Sequence, residues 1–149
     1  MRSRHDPVPF DLLKADSFIR GESTLAMVCD EPLETVAARL EGSIVANGLT
    51  ILHLHDLRQL LADNGIALAN GCRVYEVFSP ELAARLLALD PGLAHVLPCR
   101  ISMHDQGGIT TVTTPMPSTL MTEFSHAADV ARLARSFEAA MHRVLRGLR

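Results

Sequence analysis

Cys99 sits in the run Leu97-Pro98-Cys99-Arg100, and its thiol is the most chemically versatile group in the chain. Beside Arg100 or a protonated imidazole the thiolate is favoured, and it can serve as nucleophile, redox centre or soft ligand. The competing reading is a buried small hydrophobe in line with Leu97, Ile101 and Met103 on one strand face. Pro98 next to it suits an edge strand or a bulge. His53 and His55 stand two apart in an extended run, so both imidazoles project from one face and can share a transition metal. Asp56 points the other way, so His104 or Glu76 from a neighbouring strand would have to complete a ligand set. Otherwise the pair lies on a half-exposed face. Asp56 stands ahead of Arg58 and Gln59, where a carboxylate caps a helix start more readily than it acts as a lone general base. Ser102 and His104 share a strand face without a Gly-x-Ser-x-Gly elbow, and Gly107-Gly108 lacks the Lys and helix of a phosphate loop.

These groups need elements to hold them. Residues 1–22 form a leader or arm, broken by Pro7, Pro9 and Gly21, with no sustained period. Residues 23–149 read as one domain. Ser23 to Cys29 alternates as a strand, and Leu33, Val36, Ala37, Leu40 and Ile44 then recur at helical spacing up to Asn47-Gly48. Leu49 to Asp56 is a second strand, with Leu52 and Leu54 facing opposite to Ile51, His53 and His55. Leu57 to Asp63 is a short helix, and Cys72 to Phe78 a third strand. Ser79-Pro80-Glu81 opens a helix with a hydroxyl cap, a proline and a carboxylate at its positive end. Val96 to His104 and Ile109 to Thr114 are two further strands joined through Gln106-Gly107-Gly108. After a loop, a long final helix opens near Ser125, striped by Val130, Leu133, Phe137, Met141, Val144 and Leu148, with Arg132, Arg135, Arg143 and Arg146 opposite. The spacing predicts an α+β domain of two layers: a mixed or mostly antiparallel sheet of about five strands, helices on one face, and a face free for a second copy.

The 149 residues carry a formal charge of -3 and 48% hydrophobic residues, enough apolar surface for one core. With 4% aromatics and no Trp, neither a basic nucleic-acid footprint nor a base-stacking platform is expected. Charged residues interrupt every apolar run, so no membrane span is expected. Cys29, Cys72 and Cys99 are too few and too scattered for a disulfide framework, which places the protein in the cytoplasm with reduced thiols.

The stretch Glu76-Val77-Phe78-Ser79-Pro80-Glu81-Leu82-Ala83, then Leu89-Asp90-Pro91, then Leu97-Pro98-Cys99, resembles the bacterial and archaeal domain-of-unknown-function 302 family. The helix from Leu33 to Gly48, the strand ending His55-Asp56-Leu57, and Asp105 to Gly108 sit where that family has equivalents. The resemblance spans roughly residues 23 to 148 and implies a small α+β fold, homodimeric, with no established activity. It departs at Ser79, where the family commonly shows Asn, and the leader lies outside it.

Three functional readings follow. One is a homodimeric domain that binds a small ligand or partner without a reaction. Another is a thiol or metal protein centred on Cys99, with His53, His55 or His104 assisting. The last is an enzyme with a pocket near Asp56, Glu76 and Cys99. The candidate site residues are therefore Cys99, Asp56, Glu76 and His104, with His53 and His55 for a metal. No cofactor is specified.

Overall fold

The computed structural model describes residues 17–21 and 23–149. The chain runs through β1 (Ser17–Arg20), β2 (Thr24–Cys29), α1 (Leu33–Ala46), β3 (Thr50–Asp56), α2 (Leu57–Asp63) and β4 (Cys72–Phe78). It continues through α3 (Pro80–Leu89), a 3-10 turn (Pro91–Val96), β5 (Cys99–Gln106), β6 (Ile109–Pro115), α4 (Pro117–Thr122) and α5 (Ala128–Arg146). The strands make one sheet in the order β1-β2-β6-β5-β4-β3, every neighbouring pair antiparallel.

Strand alternation sorts the side chains between two faces. On one face Leu25, Met27, Cys29, Val112, Met103, Ile101, Cys99, Tyr75 and Val77 are buried, and α1, α3 and α5 supply the other half of the core. Two threonines on this face are satisfied: Thr110 Oγ1 donates to Glu31 O (2.8 Å) and Thr114 Oγ1 to Arg100 O (2.9 Å). The expected stripe of α5 packs as predicted at Val130, Phe137, Met141 and Val144, with Leu148 just beyond its end fully buried. Ser43 Oγ of α1 donates to Val144 O at 2.7 Å, tying the two helices where they pack.

Four local readings are corrected. The sheet has six strands, because Ser17–Arg20, within the expected arm, pairs with β2; positions 1–16 and 22 lie outside the described residues. Phe18 and Ile19 are adjacent apolar residues, so this strand shows no alternation to find. Next, the run from Val96 is not extended at its start. Asp90 Oδ1 accepts from Gly92 N (2.9 Å) and starts the 3-10 turn, and the strand begins only after Pro98, which has no N–H for a ladder. The segment after Pro115 is the helix α4, whose Met121 is buried in the core, and α5 starts at Ala128. Finally, the register of β3 shifts between Ile51 and His53, so Ile51 faces Val77 and Leu54 faces Tyr75 on the core side. Ile51 therefore parts company with His53 and His55.

The tight link from β5 to β6 needs a left-handed backbone. Gly107 and Gly108 supply it with φ of 59° and 80°, and Gln106 pairs with Ile109 across the turn. This hairpin places the start of β5 beside the end of β6.

Candidate functional site

The sheet face opposite α1, α3 and α5 gathers several of the predicted groups. His53 and His55 are edge-to-face, with ring centroids 4.3 Å apart. His55 Nε2 lies 3.5 Å from Glu76 Oε2, an ion pair when the imidazole is protonated. In register His53 is opposite Glu76, and Glu76 opposite Arg100. His104 is on the same face but pairs with Cys72 and Thr111, well along β5 from Glu76. Among the described residues no group of three His, Cys, Asp or Glu side chains could hold a metal ion.

Alternation carries Cys99 through the sheet to the core face, opposite Val77. It is 7% exposed, and burial pushes its thiol up to about 12. That direction opposes a standing thiolate. Asp56 faces Arg73, which pairs onward with Met103, four positions along β5 from Cys99 and so roughly 13 Å away. Cys99, Asp56, Glu76 and His104 are therefore not brought together. The period of two separates Cys99 from Glu76 and His104, and strand length separates it from Asp56.

Asp56 has a structural task. Its Oδ1 accepts from Gln59 N at 3.1 Å and caps α2, a helix that buries none of its own residues. Asp56→Ala should cost about 0.5–2 kcal/mol. Amide exchange should quicken within α2 and leave β4 unchanged. Equal exchange rates in α2 would contradict the cap.

What the side-chain spacing did not disclose is a concavity at the end of the β5–β6 hairpin, about 290 Å³ in volume. The 3-10 turn contributes His95 and Val96, and the turn-to-strand link Leu97 and Pro98. Beyond them β5 gives Cys99 and Arg100, β6 gives Thr114 and Pro115, and α4 gives Pro117 and Leu120. Its walls are mostly aliphatic, and Arg100 is its one permanently charged lining residue. Two proline-bearing runs, Leu97-Pro98 and Pro115 to Pro117, were the available signal. The hairpin register places them side by side.

A six-stranded antiparallel sheet, with the helices among the described residues over one face, and a cavity at one hairpin end define a two-layer α+β domain. The chain belongs to the family described as Domain of unknown function DUF302, whose model matches residues 25–148. It is similar in structure to an uncharacterized conserved DUF302 protein from Bacillus stearothermophilus, solved by crystallography. The TM-score is 0.79 at 21% identity, over 85% of this chain and 98% of that one, a likeness of fold. Comparison with curated proteins gives no match.

Proposed function

We propose that this chain is a homodimeric, non-catalytic domain that holds a small molecule in the cavity at the β5–β6 end. The cavity is the observation that carries the reading. It is near the lower bound of volumes common for small-molecule sites, with apolar walls and few polar groups, as such sites are built. The thiol-centred alternative is disfavoured by the burial of Cys99. Three scattered cysteines, Cys29 and Cys99 buried and Cys72 partly so, favour a reducing cytoplasm. A net charge of -3 weighs against nucleic acid as partner. Among the described residues no helix is long and apolar enough to cross a membrane.

The second copy is assigned to the sheet face that lacks helices, where Ile19 and Val74 are only partly covered. Sedimentation should give twice the 16.2 kDa chain mass, and Val74→Asp should shift it to the monomer. A monomeric wild type would overturn the dimer. For the cavity, fragment titration followed by amide shifts should perturb Leu97, Cys99 and Leu120, and Leu120→Trp should abolish the response. Shifts confined to another surface would overturn the assignment.

A further inference from the structure

We infer that the molecule held in this cavity is a small monoanionic carboxylate with an apolar body, anchored by Arg100. This rests on the proposed cavity and names the chemistry that fills it.

Among the described residues Arg100 has no carboxylate within ion-pair distance, and no Asp or Glu lines the cavity. Its cross-strand neighbour Glu76 has His55 as its ion-pair partner. The other two concavities differ. The trough between α3 and α5 is lined by Arg85 and Arg132, which are paired with Glu81 (3.0 Å) and Asp129 (2.7 Å). The hollow beside α2 is lined by Arg58 and by Arg73, which is paired with Glu34, and by the carboxylates of Glu34, Asp56 and Asp105. In both, cations already face anions. Of these three concavities, the one at the hairpin end alone is lined by a guanidinium and by no carboxylate, and the planar fork of Arg100 matches a carboxylate with two parallel hydrogen bonds.

A cavity of about 150 Å³ lined by aliphatic side chains suffices for benzene, and this one is about 290 Å³. A ring or short branched chain therefore fits together with an acid arm. Val96, Leu97, Pro98 and Leu120 would strip water from the body and disfavour a second ionic charge.

Thr114 Oγ1 already donates to Arg100 O, which steadies the backbone under the guanidinium. His95 Nδ1 is 2.5 Å from Gly92 O, so it carries the proton and leaves Nε2 as the imidazole's uncommitted nitrogen. The ring is edge-on to Phe124 at 4.4 Å, which holds it in place. A donor on the ligand, such as a hydroxyl, would be accepted there.

The test compares 3-phenylpropionate with its neutral counterpart 3-phenylpropanol on the full chain, by calorimetry and amide-shift titration. The acid should bind about tenfold or more tightly than the alcohol, as one charge-assisted pair allows. Arg100→Gln should remove that preference by bringing acid binding down to the level of the alcohol, and Arg100→Lys should restore part of it. Equal binding of acid and alcohol, or an Arg100→Gln protein that retains the preference, would overturn the carboxylate while leaving the cavity intact. Failure of both probes, with Leu120→Trp indistinguishable from wild type, would remove the cavity reading itself.

Discussion

Phe137→Ala is expected to lower unfolding free energy by about 3–5 kcal/mol. The ring is 1% exposed on the inner side of α5, in the same stripe as Val130, Met141 and Val144. Truncation removes its transfer energy and leaves a void that α1, α3 and the sheet cannot close without shifting, because all three pack in the same core. For a chain of this length the melting temperature should fall by roughly 10 °C or more. Urea unfolding supplies the measurement, with Ser136→Ala as the surface control, expected to stay within about 0.5 kcal/mol of wild type. A loss below about 1 kcal/mol at Phe137 would mean that the helix is rotated from the position described.

Alkaline instability is the second large effect. Burial holds the Cys99 thiol neutral up to about 12, against an ordinary value of 9.0. Tyr75 is pushed from 10.0 to about 12, first by burial and then by Glu41, whose Oε1 accepts from its hydroxyl at 3.1 Å. Both are acids whose folded values are raised, so the unfolded chain releases its proton first. Their stabilising contribution is fully present below about 9 and is lost as pH climbs toward about 12. Cys99 alone should account for a loss on the order of a few kcal/mol, and Tyr75, with the smaller shift, for less. Urea midpoints should drop through this window in wild type and drop less in Cys99→Ala. The same shift leaves native Cys99 with far less thiolate than a free cysteine below that window, so a neutral thiol reagent should label it much more slowly than a free thiol. Labelling at the rate of a free thiol would contradict its burial.

Much of the architecture could be read from local pattern. The Ser79-Pro80-Glu81 start is capped as expected, with Leu82 N donating to Ser79 Oγ at 3.4 Å, and the glycine hairpin turns where it should. These signals are strong because cap, proline and φ requirements act within a few residues. Non-local effects were invisible. The strand Ser17–Arg20 exists because β2 offers an edge, not because its own residues alternate. The shift at Ile51 is a matter of pairing with β4. The candidate residues were chosen for their chemistry, yet face and position along the sheet decide which can meet, and these follow from register. The cavity was least legible, since backbone turns and aliphatic walls create it from segments distant in sequence.

The strand order also has a kinetic corollary. From β3 to β6 each strand adds beside its predecessor, so this half of the sheet can assemble through short-range encounters. β2 cannot join until β6 exists, since Leu25 pairs with Thr114 about 90 positions away and a loop of that size must first be closed. β1, attached only to β2, comes last. During synthesis, then, β2 leaves the ribosome well before the strand it must pair with, and until it docks β6 presents an open edge to whatever strand arrives first.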